Sequence, residues 1–461
     1  MPRVTDRQYH RIDLNALPHG GSRGCARGTV AWFVKSLIFL SWLATGCASH
    51  ILSSGTPESV GMESSVLSEV DSIAKQEIDS GNIPGCVVLV GRKETIVWHK
   101  AYGNRAVTPE KVTNSVSTIY DLASLTKPVA TATAIALLLD DGKLNLNNKV
   151  IDYLPSFGAE GKDDVTIAHL LTHTSGLKPY LDMSLIEKEY GPGPKPDSII
   201  EHICSLPKSY ETGKSSVYSC LNFVVLARIA EEVSGEPMHR FLRRRVWLPL
   251  GMKETPFFLN DEQTERAAPT HADGSEDYRG RVHDPLARYY ITPEHACGNA
   301  GLFSTAHDLA IFAQMLLNRG EYGGVKILKP ETVDLLTTVQ TPPELPKRGL
   351  GWDIDSPYAP SARGDVIPPD ESFGHTGFTG TSLWIDRKSQ TFFIILSNRT
   401  HMEKGDVAEL RRGIANVVGR SLDIYREKPA PRSLTPTPGC PPSYSNNFSF
   451  SRTWLTCVPC Q

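Results

Sequence analysis

Tyr120-Asp-Leu-Ala-Ser124-Leu-Thr-Lys127-Pro128 opens a run, Leu125 to Asp140, that is rich in Ala, Leu and Thr and stops at Asp141-Gly142. Glycine takes the left-handed cap conformation without strain, so the run reads as a helix with Ser124 and Lys127 at its start. A serine three residues before a lysine at a helix start puts both side chains on one face, a turn apart, where hydroxyl and amine can touch. Serine is a poor nucleophile until its proton is taken, and a desolvated lysine neighbour can assist that step. A helix N-terminus also supplies backbone N–H groups and positive potential where an oxyanion would develop. Pro128 is tolerated because it lies close to the first turn. The spacing alone proves little, since about one Ser-x-x-Lys match is expected by chance in a chain of this length. Ser205-Leu-Pro-Lys208 is a second one.

Outward from this stretch the chain alternates between strand-like and helical patterns. Val66, Val70, Ile73 and Ile78 have the spacing of an amphipathic helix, preceded by a Ser/Gly/Pro-rich linker over Ala48 to Glu58. Gly85 to Gly91 and Thr95 to Ala101 are β-rich and separated by Arg92-Lys93-Glu94, which suits a hairpin. From Pro155 to about Leu350, helical stretches such as Leu221 to Val233 and Ala306 to Asn318 are mixed with long Pro/Gly-rich loops, as in an inserted helical region. Strands return at Thr381 to Arg387 and Thr391 to Ser397, followed by a helix near Asp406 to Gly419. Strands at both ends of one domain imply that the two ends meet in a single sheet.

Two further elements give the Ser124 stretch its context. Val217-Tyr218-Ser219-Cys220-Leu-Asn222-Phe opens a helix, and Phe373-Gly374-His375-Thr376-Gly377-Phe378-Thr379-Gly380 runs into a strand. The order Ser-x-x-Lys, then Tyr-x-Asn, then Lys/His-Thr-Gly resembles the serine β-lactamase and penicillin-binding superfamily, in particular its class C β-lactamase-related hydrolases. Leu170-Leu-Thr-His173-Thr-Ser175-Gly-Leu177 and Gly298-Asn-Ala-Gly301-Leu-Phe-Ser304-Thr-Ala-His-Asp308-Leu are also similar to that family, and the likeness spans roughly Ile83 to Asn398. The resemblance implies an α/β (α+β) sandwich: a mostly antiparallel sheet flanked by helices, with a helical subdomain over the active-site cleft. It also implies that Ser124 is acylated, that Lys127 eases its deprotonation, and that Tyr218 acts as general base and then as acid toward the leaving group. Phenol titrates near pH ~10 in water, so that role requires positive charge nearby, from Lys127 and from His375. The backbone N–H groups of Ser124 and Phe378 would form the oxyanion hole, with His375, Thr376 and Gly377 lining the substrate. The expected reaction is hydrolysis of small esters or of D-amino-acid peptide and amide bonds, with weak β-lactamase activity beside it.

The chain departs from the family pattern at two of these positions. Cys220 stands where the family has Asn or Asp, which leaves nearby Asn222 as the candidate substitute for the missing amide. His375 replaces the lysine of β-lactamases, and a largely neutral imidazole is a weaker partner for a substrate carboxylate than an ammonium. The same His-Thr-Gly occurs in related D-alanyl-D-alanine carboxypeptidases and esterases, so ester or peptide hydrolysis ranks above β-lactam hydrolysis. A non-catalytic binding or sensing protein that retains the fold, and a transacylase using the same serine, are the alternatives the sequence leaves open.

Composition fits this reading. A hydrophobic content of 40% in 461 residues suffices for a substantial core, and a formal net charge of -3 without long runs of either sign gives no reason to expect nucleic acid. A small-molecule ester, amide or peptide is the expected partner, and no cofactor is expected. Nine cysteines lie scattered without zinc-like pairing, and no His-Glu-x-x-His occurs, so no metal is expected either. Cys457-Val-Pro-Cys460 has metal-like spacing but lies in a Pro/Ser/Asn-rich tail, residues 428–461, that reads as disordered.

At the other end, residues 1–50 read as an export segment. Lys35, the short apolar run Ser36 to Gly46, and small residues before Cys47 are the marks of a secretory signal, and Cys47 is a candidate for lipidation in a lipoprotein. The chain is accordingly expected in the periplasm or cell envelope, with membrane contact only through an anchor at Cys47 and with translation starting near Val34. Gly20-Gly-Ser22-Arg-Gly24 and Tyr444-Ser-Asn446 match catalytic patterns but lie outside the domain, and read as accidents.

Overall fold

The computed structural model describes residues 51–271 and 278–425. The export segment with Cys47, the tail at 428–461 and the two accidental motifs lie outside the described residues. Strands β1 (Gly85–Arg92) and β2 (Thr95–Ala106) form the expected hairpin. Its two-residue turn, Lys93-Glu94, has positive φ at both positions, 47° and 63°. That backbone handedness matches the right-handed twist of the flanking strands. Strands β3 (Ser372–Thr376), β4 (Ser382–Asp386) and β5 (Thr391–Ser397) follow late in the chain.

The main sheet has nine strands in the order Ser53–Ser54, β2, β1, β5, β4, β3, Asp353–Asp355, Lys347–Arg348, with Val112–Thr113 alongside β2. β5 pairs with β1 from Thr391 opposite Arg92 to Ser397 opposite Cys86, so the two ends of the domain do meet in one sheet. Every pairing is antiparallel except that of Ser53–Ser54 with β2. Ser53–Ser54 lies inside the stretch whose composition reads as a linker; it joins the sheet through backbone bonds, which composition does not report.

Five helices flank the sheet and frame the site: α1 (Glu69–Asp79), α2 (Thr133–Asp140), α3 (Cys220–Ser234), α4 (Ala306–Leu317) and α5 (Ala408–Ser421). All residues of β1 and β5 are buried, because alternate side chains enter different cores. Val88, Val90, Phe393 and Ile395 pack with Val70 and Ala74 of α1 and Leu410 and Ile414 of α5. Val87, Leu89, Ile394 and Leu396 face the other way, into a core shared with α2, α3 and α4. Full burial of each such aliphatic side chain contributes about 1.5–3 kcal/mol, which holds the sheet as a rigid middle layer.

The helix expected over Leu125 to Asp140 is the element that differs most. It begins as a 3₁₀ turn (Ala123–Leu125), widens to a π-helix (Lys127–Ala132), and becomes α-helical only in α2. Pro128 has no N–H and its ring crowds the carbonyl four residues back, which a wider turn relieves. Ser124 lies in the 3₁₀ turn and Lys127 opens the π-helix, three residues on, and their side chains meet across this junction.

Candidate active site

The nucleophile segment is held from both ends. Asp121 is buried; its Oδ1 accepts the N–H of Ala123 at 2.8 Å and its Oδ2 accepts the N–H of His283 at 2.7 Å. Burial raises its carboxyl to about 6 against the pull of those two N–H groups. Ala123 has φ 46°, a left-handed conformation that costs about 1–2 kcal/mol in a residue with a Cβ, and the Asp121 bond fixes it there immediately before Ser124. Lys127 is fully buried, and its Nζ donates to Ser124 Oγ at 3.0 Å and to the carbonyl of Asn299 at 2.9 Å. Asn299 lies in the Gly298 to Leu309 stretch, whose likeness to the family was visible though this contact was not.

The end of β3 forms the adjoining wall. Thr379 Oγ1 donates to the carbonyl of Asp121 at 2.7 Å and Thr381 Oγ1 to that of Leu122 at 2.9 Å, so the β3–β4 turn is bonded to the residues just ahead of Ser124. Gly377 allows this approach: a Cβ there would lie 2.1 Å from Thr381 Oγ1 and 2.3 Å from the Leu122 carbonyl. Arg411 of α5 is buried behind the turn and donates to the carbonyls of Gly377 and Thr381, both at 2.7 Å. The Phe378 ring stacks on His283 with centroids 5.5 Å apart. His375 Nδ1 lies 2.7 Å from the carbonyl of its neighbour Thr376, which places the proton on Nδ1. Burial, then the cations Lys127 and Arg348, lower His375 to about 3, so its imidazole is neutral.

Tyr218 faces this wall from the segment that leads into α3. Its ring is 4.9 Å from Lys127 Nζ and 5.9 Å, centroid to centroid, from His375. The phenol oxygen is buried, near Lys127 and Ser124 but outside strict hydrogen-bond geometry with any of the described residues. Burial pushes the phenol up to about 12, while the charge of Lys127 and the nearness of Lys127 and Ser124 pull the other way. The expected stabilisation by Lys127 is therefore present, but burial outweighs it. His173 fixes the tyrosine from behind: its carbonyl accepts the N–H of Val217 at 3.0 Å and its Nδ1 accepts that of Ser219 at 3.0 Å. Its ring centroid lies 4.6 Å from that of Tyr218. Burial, with the cations Arg348 and Lys127, holds His173 well below the usual imidazole range.

The remaining candidates take other parts. Asn222 is buried, and its amide is taken up by Ser175 Oγ at 2.6 Å and the Leu170 carbonyl at 3.1 Å. It ties α3 to the loop carrying His173, so it does not replace the amide missing at Cys220. Cys220 is buried at the first position of α3, where its thiol adds to the rise in the Tyr218 pKa. The competing pair Ser205 and Lys208 does not meet: Ser205 Oγ bonds the carbonyl of His202 at 2.9 Å, and Lys208 pairs with Asp164 at 2.9 Å. Arg348 carried no signal in the sequence. It lies on the short edge strand Lys347–Arg348, is 4% exposed, and places its guanidinium 5.8 Å from the Tyr218 ring centroid. A serine, a buried lysine and a buried phenol thus converge from distant segments, beside a wall of backbone amides, an arrangement suited to acyl transfer.

Comparison with known proteins gives concordant results. The Beta-lactamase family model matches residues 70–416. An Escherichia coli K12 protein described as "Putative D-alanyl-D-alanine carboxypeptidase" is 29% identical over 407 residues, covering 81% of this chain and 92% of its own. Among solved structures, EstCE1, described as a hydrolase with promiscuous acyltransferase activity, superposes with a TM-score of 0.62 at 23% identity, over 77% of this chain and 98% of its own. A class C β-lactamase does so with a TM-score of 0.62 at 20% identity, over 78% and 97%. At these identities the structural likeness is one of fold.

Proposed function

This chain belongs to the β-lactamase family of serine hydrolases, and from that premise we propose that it cleaves small esters or D-amino-acid peptide bonds through an acyl-Ser124 intermediate. The observation that carries the reading is the fully buried Lys127 with its Nζ 3.0 Å from Ser124 Oγ. A lysine removed from water and aimed at a serine is suited to easing the loss of the serine proton, which supports this reading over that of a binding protein that merely retains the fold.

As the Ser124 oxygen attacks the substrate carbonyl carbon, its proton passes into the Lys127–Tyr218 pair. The charge gathering on the carbonyl oxygen is received by the backbone N–H groups of Ser124 and Phe378. Collapse breaks the bond to the leaving nitrogen or oxygen, which takes a proton from Tyr218. A water then attacks the acyl carbon, gives its proton to the same pair, and Ser124 departs as the alcohol. With the phenol at about 12, only on the order of one molecule in 10⁵ is ionised at pH 7. Tyr218 therefore rests as a proton donor, and the pair takes up the Ser124 proton only in the minor form that has already lost one.

Export belongs to the same proposal. The apolar run after Lys35 and the small residues before Cys47 support delivery to the cell envelope with acylation at Cys47, and D-amino-acid peptides of cell-wall type lie there. Intact mass and N-terminal sequencing of the protein from envelope fractions check this part. The catalytic part is tested by treating the protein with a fluorophosphonate and with a penicillin, then mapping the adduct by mass spectrometry. The expected result is one adduct, on Ser124, absent from Ser124→Ala. Failure to acylate at any pH, with no turnover of p-nitrophenyl esters, nitrocefin or a D-Ala-D-Ala peptide, would overturn it.

A further inference from the structure

Asp121 is a buried acid that ties three segments of the site together. Its carboxylate accepts the N–H of Ala123 at 2.8 Å and that of His283 at 2.7 Å, and its own carbonyl accepts Thr379 Oγ1 of the β3–β4 turn at 2.7 Å. Ala123 directly precedes Ser124, and the His283 ring stacks on Phe378. Arg399 holds Phe378 further: its Nε donates to the Phe378 carbonyl at 2.7 Å, and its guanidinium lies 4.4 Å from the ring centroid. One carboxylate thus reaches, through Ala123 and His283, both residues whose N–H groups receive the oxyanion in the proposed reaction. Its hydrogen-bond partners among the described residues are those two N–H groups and no cation. The charged and titratable groups around it are His283, Asp284 and Arg288 on the segment it bonds, Lys127 on its own, and Arg399 and Arg411 behind the β3–β4 turn. The paired strand Phe303–Ser304 adds none. His283, lowered by burial to about 4, is neutral near pH 7. Burial raises the Asp121 carboxyl from 3.8 to about 6, against the N–H groups of His283 and Ala123, with Asp284 adding to the rise and Arg288 opposing it. The stability that goes with its protonated form is therefore lost as pH rises through about 6, so packing alone does not account for an acid here.

We propose that Asp121 is a positioning residue which, when ionised, holds the Ser124 and Phe378 N–H groups in register, and that its protonation turns the site down in acid. This deepens the acyl-Ser124 reading by naming a regulation of that site, and rests on it. A carboxylate offers acceptors only, and hydrogen bonds to it are about twice as strong as those to a neutral group. Protonation puts a hydrogen on one of two oxygens that each face an N–H, so at most one of the two bonds keeps its full acceptor. If the Ala123 bond weakens, the left-handed φ of 46° just ahead of Ser124 loses its restraint. If the His283 bond weakens, the stack that seats Phe378 loosens. Either change frees the spacing of the two oxyanion donors. The oxyanion forms only in the transition state, so the loss falls on rate and not on substrate affinity.

The test measures kcat and KM for p-nitrophenyl acetate between pH 8 and pH 5 in the wild type, Asp121→Asn and Ala123→Gly. Asparagine keeps the shape of the side chain but cannot titrate, and it sets a donor against one of the two N–H groups. The ratio of wild-type to Asp121→Asn activity cancels the pH dependence that both share through the Lys127–Tyr218 pair. At pH 8 that ratio should be roughly ten- to a hundredfold, the range of one hydrogen bond to a charged group, and should lie in kcat with KM little changed. By pH 5, a unit below the Asp121 value, it should have fallen by about five- to tenfold. Ala123→Gly, whose left-handed backbone needs no restraint, should lose less rate than the wild type over the same range. Thermal melts at each pH verify folding, and if Asp121→Asn does not fold, Ala123→Gly carries the comparison. A ratio near one at pH 8, or one that does not change with pH, overturns the inference, as does an Ala123→Gly profile parallel to wild type where that variant carries the comparison. If the wild type hydrolyses no ester and Ser124 takes no fluorophosphonate, it is the underlying acyl-enzyme reading that has failed.

Discussion

Around Ser124, one wall is tied to the Ser124 segment by hydrogen bonds and the opposite wall is not. On the β3 side, Thr379 and Thr381 bond the carbonyls of Asp121 and Leu122, Arg411 bonds the carbonyls of Gly377 and Thr381, and Asp121 bonds two N–H groups. On the other side, among the described residues, the Tyr218 hydroxyl and His173 Nε2 are buried outside strict hydrogen-bond geometry, with Lys127 and Ser124 near the hydroxyl. Burying an unsatisfied polar group costs about 1–3 kcal/mol, so folding alone does not account for the second wall. The contrast teaches a division of labour: the first wall holds Ser124 and the β3–β4 turn still, and in the proposed reading the second is left for a substrate to complete.

Substitutions break this comparison in different ways. The largest effect is expected from Ser124→Ala, which should lower hydrolysis by about 10⁴-fold or more while leaving the melting temperature close to wild type. Steady-state turnover of p-nitrophenyl acetate and a thermal melt measure both. Next comes Tyr218→Phe, expected to lower kcat by roughly 10²–10⁴-fold. Because it removes a buried hydroxyl that makes no well-formed hydrogen bond among the described residues, stability is expected to change by no more than about 1 kcal/mol. A Tyr218→Phe protein that melts well below wild type would show that the hydroxyl is structural and that the two walls do not differ in this way. Gly377→Ala tests the wall tied to the Ser124 segment. Its methyl group would strike Thr381 and the Leu122 carbonyl, so a loss of about 3 kcal/mol in denaturant unfolding is expected together with a loss of activity.

How much of this was legible in the sequence follows the same division. Ser124 and Lys127 could be read because an i, i+3 relation is local, and the hairpin at Arg92 to Glu94 because its flanking strands are uninterrupted β-rich runs. His375 to Phe378 could be read only through the resemblance, as the third of three motifs in a fixed order. The π-helix at Lys127–Ala132 was not legible, since Pro128 near a first turn is compatible with an ordinary helix. Asn222 was misread for a related reason: the pattern places an amide beside Tyr218, but only the fold shows Ser175 and Leu170 taking it up. Arg348 lay furthest from reach. One arginine on a two-residue strand has no periodicity, and its meaning appears only when that edge meets Tyr218.

The smallest expected effect separates the walls by pH. His375 is buried, close to Lys127 and Arg348 and, through Arg411, to a further cation, with only the Thr376 carbonyl favouring its protonated form. Its pKa falls from 6.5 in the unfolded chain to about 3 when folded. The unfolded state then binds the proton first, so the stability this neutral imidazole contributes is whole above pH 6.5 and is lost as pH falls from there toward 3. By pH 5 the loss should be about 2 kcal/mol for His375, and His173 is shifted in the same direction. His375→Gln should flatten part of that slope in melts recorded between pH 7 and pH 5. The same neutrality means that kcat/KM should show no inflection near pH 6.5 from His375, and an inflection there that vanishes in His375→Gln would mean the imidazole is charged in the working enzyme. In that event the contrast between the two walls would have to be redrawn.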